Sequence, residues 1–166
     1  MANEVIMSQE KFDELRNRLD YLEKVKRAEI TEAIKEARAL GDLSENAEYD
    51  AAKNEEAAVA GEIAQIKYQL NNAKIIEIDQ LNTKTVVVGC TVEIVEVETD
   101  STGKVVEADD PEEIKIVGTL EANAAEGRIS NESPLGRALI GRKKGEIFTM
   151  VAPGGKFEYK VLSVKV

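Results

Sequence analysis

The sequence contains no histidine, no tryptophan and a single cysteine, and aromatic residues make up 4% of its 166 positions. Without histidine the chain has no Ser-His-Asp or Cys-His catalytic arrangement and no histidine metal ligand. A single cysteine excludes both a disulfide within the chain and a thiolate zinc site. These absences leave carboxylate chemistry, lysine or arginine chemistry, or binding as the classes of function that the sequence permits.

Positive charge is also scarce, since 22 Lys and Arg stand against 32 Asp and Glu, for a net charge of −10. Tight, autonomous binding to a nucleic-acid backbone needs a surplus of cations on one surface, which this composition disfavours. No apolar run approaches the ~18 residues of a membrane span, and residues 1–20 are too charged for a signal peptide. We therefore expect a cytoplasmic protein with no membrane partner.

The composition changes near residue 76. Residues 1–75 contain no proline and two glycines, and their apolar residues recur at steps of three and four, as in a coiled coil. This spacing predicts one helix over about 8–40 and a second over about 44–75. The apolar pattern of the first helix shifts phase near Lys26–Arg27.

The connection between the two predicted helices is short. Gly41 would follow the first helix, and Asp42 and Ser44 are candidate N-caps of the second. So short a connection requires an antiparallel hairpin. Its turn, the acidic tip (residues 41–49), belongs to a stretch over 39–62 with one cation, Lys53, and seven acids, which are Asp42, Glu45, Glu48, Asp50, Glu55, Glu56 and Glu62.

Residues 76–166 are rich in β-branched residues in short, partly alternating runs, which predicts strands. The predicted strands are Val86–Val88, Val92–Val97, Ile114–Val117, Ile147–Val151 and Phe157–Val166. We expect turns at Thr99–Lys104 and Pro153–Gly154–Gly155, and a short helix with Ser133 as N-cap, Pro134 at N1 and Gly141 at C′. The fold class is therefore α+β, with an N-terminal antiparallel α-helical coiled-coil hairpin (1–75) and a small antiparallel sheet domain with one helix (76–166).

Asp42 and Glu45 lie three positions apart at the acidic tip, and two interpretations of the pair remain open. One is a capping box, with Asp42 as N-cap and Glu45 at N3. The other is a metal-binding pair, because Mg²⁺ takes hard oxygen ligands and often uses only one or two protein carboxylates together with water and phosphate. Two carboxylates cannot enclose Mg²⁺ alone, so they would complete a site on another molecule that already holds the ion.

Three motifs resemble those of the bacterial Gre transcript-cleavage factors, and together they span nearly the whole chain. They are Gly41–Asp42–Leu43–Ser44–Glu45–Asn46–Ala47–Glu48–Tyr49 continuing through Ala51–Ala52–Lys53, then Ile129–Ser130–x–x–Ser133–Pro134–Leu135–Gly136–x–Ala138–Leu139–Ile140–Gly141, and then Pro153–Gly154–Gly155 before the last strand. On these motifs the chain is identified as a member of that family. The resemblance implies that the C-terminal domain has an FKBP-like fold.

The resemblance also implies a partner and a chemistry. Gre factors insert their coiled coil into the secondary channel of bacterial RNA polymerase and dock their C-terminal domain on the rim of that channel. Their tip carboxylates help to hold a second Mg²⁺ and orient the attacking water while the polymerase cleaves the extruded 3′ end of its nascent RNA in a backtracked complex. The resemblance thus implies a factor without a complete active site of its own, which binds no cofactor alone and shares Mg²⁺ only in the polymerase complex. We expect a monomer.

By matched position, the resemblance assigns four roles: the catalytic and metal pair supplied to the polymerase active site (Asp42 and Glu45), support of the tip (Asn46, Glu48 and Tyr49), contact with the RNA (Arg38 and Lys53) and docking on the polymerase (Glu132, Ser133 and Pro134). Simpler interpretations stand beside two of them. Arg38 has the spacing of an ordinary solvated helix charge, and Ser133 with Pro134 has the spacing of a helix start.

Three other functions remain open on the sequence alone. An inhibitor on the same scaffold would occupy the channel without stimulating cleavage, but the intact Asp–Leu–x–Glu–Asn tip favours the activator. A prolyl isomerase would need an apolar pocket lined with rings, for which the C-terminal half offers only Phe148, Phe157 and Tyr159. A coiled-coil adaptor or holdase would need exposed apolar residues at the tip, which is acidic.

Overall fold

The computed structural model describes residues 3–42, 46–77, 79 and 81–166. Its contacts divide the chain into two compact units. The first unit contains Glu10–Ala73 with the residues up to Val5, and the second contains Ile6–Gln9 with Lys74–Val166. A short segment from the start of the chain therefore belongs to the second unit. Within the described ranges, no helix combines the length and apolar character that a bilayer crossing needs.

The first unit is built from two helical arms. The first arm consists of α1 (Gln9–Tyr21), a π-helical turn (Leu22–Lys26) and α2 (Arg27–Ala39), and the second arm is α3 (Ala47–Asn71). Ion pairs between the arms join residues early in one to residues late in the other, as in Arg18–Glu62 at 2.7 Å and Lys26–Glu55 at 2.5 Å. The arms are therefore antiparallel, which confirms the predicted hairpin.

The π-helical turn accounts for the phase shift in the apolar pattern of the first arm. The buried residues Leu15 and Leu22 are seven residues apart, Leu22 and Ile30 are eight apart, and Ile30 and Ala37 are again seven apart. A heptad step keeps side chains on one face of a helix, whereas an eight-residue step turns them away from it. The wider π turn absorbs the extra residue, so the apolar face stays on one side of the arm.

Helix α3 starts later and ends earlier than the sequence predicted. Its N-cap is Asn46 rather than Asp42, and Ser44 lies outside the described residues. The capping-box interpretation of Asp42 is therefore wrong, because the helix that it would cap does not begin until Ala47. At the other end the periodic Ala73 lies in a strand, β2 (Ala73–Ile75), which pairs with β1 (Val5–Met7).

The second unit contains a six-stranded sheet. Its strands are β3 (Thr91–Thr99), β4 (Val105–Glu107), β5 (Glu112–Val117), β6 (Arg128–Ser130), β7 (Ile147–Ala152) and β8 (Gly155–Lys165). The order is β6-β5-β3-β8-β7, with β4 paired to β3. The α+β class is confirmed, but the sheet is mixed rather than wholly antiparallel, because β5 and β6 run parallel.

The core of this unit lies between the sheet and helix α4 (Pro134–Leu139). It contains Val86, Cys90, Val92, Ile94, Ile114, Ile116, Leu139, Phe148, Val161 and Val164. The predicted strand Val86–Val88 is wrong. Val86 is buried, but its backbone bonds run to the segment after α4, with its N–H donated to Arg142 O and its carbonyl accepting from Gly141 N, both at 2.8 Å.

The predicted turns and short helix of the second unit are confirmed. Asp100 and Gly103 lie in the turn between β3 and β4, and Pro153–Gly154 joins β7 to β8. Helix α4 has Ser133 as its N-cap and Pro134 in its first turn. Gly141 follows the helix with a φ of +88°, a conformation that glycine adopts without steric cost.

Candidate functional site

The acidic tip lies where the two arms of the first unit reverse direction. Helix α2 closes with Leu40 N–H donating to Ala37 O at 3.2 Å and Gly41 N–H donating to Arg38 O at 3.4 Å. Asp42 follows directly, and its side chain is exposed to solvent. Glu45, the other member of the predicted pair, lies outside the described residues together with its two preceding neighbours. The structure therefore places one of the two carboxylates at the exposed reversal.

Asn46 fastens the two arms together at the tip. Its side-chain oxygen accepts a hydrogen bond from Tyr49 N at 3.1 Å, which caps helix α3. Its side-chain nitrogen donates to Ala37 O at 2.6 Å, which satisfies a carbonyl at the end of helix α2. The first N–H groups and the last carbonyls of a helix lack hydrogen-bond partners within it. The Asn46 side-chain amide supplies one such partner to each of the two helices.

The two predicted RNA-contacting cations have different partners. The guanidinium of Arg38 lies over the Tyr49 ring, 5.9 Å from its centroid, and this cation–π contact again joins the end of α2 to the start of α3. Lys53 forms an ion pair with Glu56 at 3.0 Å, one turn further along α3. Arg38 is exposed to solvent, as expected of a helix charge, and it also packs against a residue of the tip.

The three acids of residues 51–62 each form an ion pair. Glu55, Glu56 and Glu62 pair with Lys26, Lys53 and Arg18 respectively. The hydrogen bond from Arg18 holds the pKa of the Glu62 carboxyl below its usual range. The other acids of residues 39–62 lie at or next to the tip in the sequence, and they are Asp42, Glu45, Glu48 and Asp50.

Glu48 and Asp50 occupy the first turn of helix α3. Acids there interact favourably with the partial positive charge of the helix N-terminus. This position gives both residues a structural reason to be acidic, so their charge alone does not indicate contact with a ligand.

The described residues do not form a closed metal site. No group of three or more acids or cysteines among them is arranged to hold a metal ion. Asp42 supplies hard oxygen ligands of the kind that Mg²⁺ prefers, but one or two carboxylates leave most of its coordination to water and other molecules. Asp42 could therefore supply only part of the coordination of a Mg²⁺ ion.

The second predicted site is the Ser–Pro loop, defined as residues 130–134, which leads from the end of β6 into the first residue of helix α4. The Ser133 hydroxyl donates to Ser130 O at 2.7 Å and accepts from Gly136 N at 3.0 Å. Gly136 is required beneath this loop, because a Cβ there would lie 2.0 Å from Ser130 O. Both hydrogen-bonding capacities of Ser133 are used within the chain, whereas Glu132 and Pro134 are exposed.

Thr119 contacts this loop and was not predicted from the sequence. Thr119 donates from its hydroxyl to a Glu132 carboxylate oxygen at 3.2 Å, and Ser130 lies 3.0 Å from the same hydroxyl. Ser130 belongs to the second motif quoted above, but Thr119 belongs to none of the three. Its proximity depends on the parallel pairing of β5 with β6, for which the sequence gives no local signal.

Comparisons with known proteins cover nearly the entire chain. A family model described as "Transcription elongation factor, N-terminal" matches residues 5–75, and one described as "Transcription elongation factor, GreA/GreB, C-term" matches residues 81–166. The transcription elongation factor GreA of Caldanaerobacter subterraneus is 42% identical over 99% of both chains. GreA of Clostridium botulinum is 43% identical over 98% of this chain and 96% of its own.

A solved structure of the GreA factor homolog Gfh1 from Thermus thermophilus aligns with a TM-score of 0.43 and 24% identity, over 99% of this chain and all of that one. The family assignment rests on the sequence matches, which are full-length and exceed 40% identity. The motifs at the acidic tip and the Ser–Pro loop lie in the matched regions of the two family models. This chain therefore belongs to the GreA/GreB family of transcription elongation factors.

Proposed function

We propose that this chain binds RNA polymerase, inserts its helical hairpin into the secondary channel and stimulates cleavage of the nascent RNA 3′ end in backtracked complexes. The observation that carries the proposal is the exposed Asp42 carboxylate at the reversal of two long antiparallel arms. Helix α3 alone has 25 residues, which corresponds to roughly 37 Å. An arm of that length and small cross-section reaches into a channel that a globular domain cannot enter.

Within the proposal, Asp42 and Glu45 supply carboxylates to an active site that belongs to the polymerase. Mg²⁺ bound there would supply Lewis-acid stabilisation and activation of water. The carboxylate of Asp42 offers oxygen ligands, and the Asn46 side chain joins the end of α2 to the start of α3 on either side of the two acids. The chain would then contribute ligands and orientation to a reaction whose remaining groups belong to its partner, which makes it a stimulatory factor and not an enzyme.

The proposal also includes residues that support the tip and residues that contact the RNA. Asn46 and Tyr49 hold the ends of the two arms together, and Glu48 stabilises the start of α3. Arg38 and Lys53 would contact the extruded RNA through its phosphates. Only two cations serve this role against a net charge of −10, so we expect a weak grip on the RNA and short cleavage products.

Docking of the second unit would use the Ser–Pro loop. Glu132 and Pro134 are exposed and available to a partner, whereas the Ser133 hydroxyl is bonded on both sides within the chain. We assign the direct contacts to Glu132 and Pro134, and we assign Ser133 the capping of α4. The proposed site of action is the cytoplasm, where the polymerase works.

A cleavage assay on a backtracked elongation complex with labelled nascent RNA tests this function. The wild-type chain should release short 3′ fragments, and Asp42→Asn should reduce the rate at saturating factor by about tenfold or more without weakening polymerase binding. Asp50→Asn is the matched control, because it removes an equal charge from the adjacent first turn of α3. Equal activity of Asp42→Asn and the wild type would refute the role of Asp42.

The same assay separates stimulation from inhibition. Slowed nucleotide addition without any 3′ fragments would assign the chain to the inhibitor class instead. Fragments produced from free RNA in the absence of polymerase would show an enzymatic activity of the chain itself, and would contradict the proposal.

A further inference from the structure

We infer that Thr119 is a positioning residue for polymerase docking, because its hydroxyl holds the Glu132 carboxylate in place on the Ser–Pro loop. The inference rests on the proposed function, in which Glu132 contacts the polymerase. Thr119 opens a 3₁₀ turn (Thr119–Glu121) that follows strand β5. It lies outside every motif of the sequence and is thirteen residues from Glu132 along the chain.

The hydrogen bonds around Thr119 form a closed ring whose direction is fixed by chemistry. An ionised carboxylate only accepts, so Thr119 must donate its single hydroxyl proton to Glu132 at 3.2 Å. Ser130, 3.0 Å away, must then donate to the Thr119 oxygen. The Ser130 oxygen in turn accepts from the backbone N–H of Glu132 at 3.1 Å. Each hydroxyl donates once and accepts once, so both ends of Glu132 are held.

Both sides of this ring are anchored to regular structure. Ser130 ends strand β6 and lies opposite Val117 of β5 in the parallel pair. The Asn131 N–H donates to Val117 O at 2.9 Å, which fixes the loop beyond Ser130. The 3₁₀ turn is held from its other end, where the Glu121 carboxylate accepts from Ser8 N at 2.9 Å and from the Ser8 hydroxyl at 2.5 Å.

This anchoring matters because Glu132 is otherwise an exposed side chain with free rotamers. A glutamate loses side-chain entropy when it is immobilised in an interface. A side chain that is already held in the free protein loses less on docking. The Thr119 hydroxyl therefore raises polymerase affinity without itself contacting the polymerase. The hydrogen bond from Ser133 to Ser130 O also holds the neighbouring Pro134 at a fixed distance from Ser130.

The test compares Thr119→Val, which is nearly isosteric but has no hydroxyl, with Thr119→Ser, which keeps it. The polymerase dissociation constant should rise about three- to tenfold for Thr119→Val and stay within about twofold for Thr119→Ser. Fragment release at saturating factor should be unchanged in both. Thr149→Val, at an exposed position on β7, is the matched control and should bind like the wild type. An unchanged affinity of Thr119→Val would overturn the assignment.

A double-mutant cycle separates positioning from a general structural effect. In a Glu132→Ala background, Thr119→Val should no longer weaken binding, because the carboxylate that it positions is gone. A merely structural role of Thr119 would instead weaken binding by the same factor in both backgrounds. That result would overturn the inference even if Thr119→Val alone weakened binding.

Hydrogen exchange in the free protein distinguishes failure of this inference from failure of the proposed function. The Glu132 backbone N–H should exchange several-fold faster in Thr119→Val than in the wild type, because its acceptor Ser130 loses a partner. An unchanged exchange rate of this N–H would refute the ring of hydrogen bonds around Thr119. A wild-type chain that does not bind polymerase at all would refute the proposed function and with it the docking role of Thr119, whatever the exchange result.

Discussion

At the residue scale, Asn46 is the residue that closes the acidic tip. Asn46→Ala should remove the cap of α3 and the bond to Ala37 O, at a cost of about 1–2 kcal/mol. Asn46→Asp should retain the cap, because its carboxylate can still accept from Tyr49 N, but it cannot donate to Ala37. Hydrogen exchange of the Tyr49 amide reports the cap directly. Protection that is equal in Asn46→Ala and the wild type would contradict this role.

Asp100 carries a pH dependence in the turn between β3 and β4. The Thr102 hydroxyl and the backbone N–H groups of Lys104 and Thr102 donate to its carboxylate and lower its pKa below the usual 3.8. Because these bonds favour the ionised form, their stabilisation is present above pH 3.8 and is lost as the pH falls through the lower pKa of the folded state. An NMR titration of the Asp100 carboxyl should show this depression, and Thr102→Val should raise the pKa towards 3.8. A wild-type pKa of 3.8 or above would contradict it.

Local chemistry explains which single residues were predictable. Ser133, Pro134 and Gly141 each act within the turn that they terminate, so their roles could be derived from spacing. Asp42, Ser44 and Asn46 all have suitable side chains for the cap of α3, and spacing alone favoured Asp42. Asn46 is the cap in the structure, where its amide also reaches Ala37 on the other arm, and a contact of that kind is not encoded in local sequence.

At the element scale, the π-helical turn is a one-residue insertion into a heptad pattern. Deletion of Val25, which is 45% exposed, would make the buried positions of the first arm recur at seven throughout. We expect the turn to become ordinary α-helix and the unfolding free energy to change by less than about 1 kcal/mol, since no buried side chain is removed. Circular dichroism and denaturant unfolding measure both quantities.

Deletion of Lys35 is the control for this prediction. It lies between Ile30 and Ala37, so its removal shortens a heptad step to six and turns Ala37 away from the buried face. We expect a loss of about 1–3 kcal/mol. Equal destabilisation by the two deletions would contradict the insertion interpretation of the π turn.

Helices and strands were predicted correctly where the apolar periodicity was long, and they were missed where a strand pairs with a segment distant in the sequence. The helical arms and strands β3, β5, β7 and β8 lie where their runs predicted them, although Ala73 falls outside α3 and Val166 falls outside β8. Strand β4 was missed because its three residues are all exposed and carry no alternation. The parallel partner β6 was missed because pairing with β5 depends on the intervening 3₁₀ turns, and Val86–Val88 was mistaken for a strand because burial alone made it apolar.

At the scale of the whole molecule, the two domains predicted from composition differ from the two units defined by contacts in where they place the first residues of the chain. The composition changes near residue 76, but Ile6–Gln9 belongs to the second unit by its contacts. Within that unit Met7 is fully buried, and its carbonyl accepts from Ile76 N at 3.0 Å. Neither the charge pattern nor the periodicity of residues 1–75 distinguishes this segment, because its placement depends on the pairing of β1 with β2.

In the proposed function, the tip supplies carboxylate ligands to a Mg²⁺ ion of the polymerase. This role is tested by the Mg²⁺ dependence of 3′-fragment release from a backtracked complex, with saturating factor. The wild-type chain should lower the Mg²⁺ concentration for half-maximal cleavage about tenfold or more relative to polymerase alone, and Asp42→Asn with Glu45→Gln should return it to the value of polymerase alone. A doubly substituted chain that lowers the Mg²⁺ requirement as far as the wild type would contradict the claim.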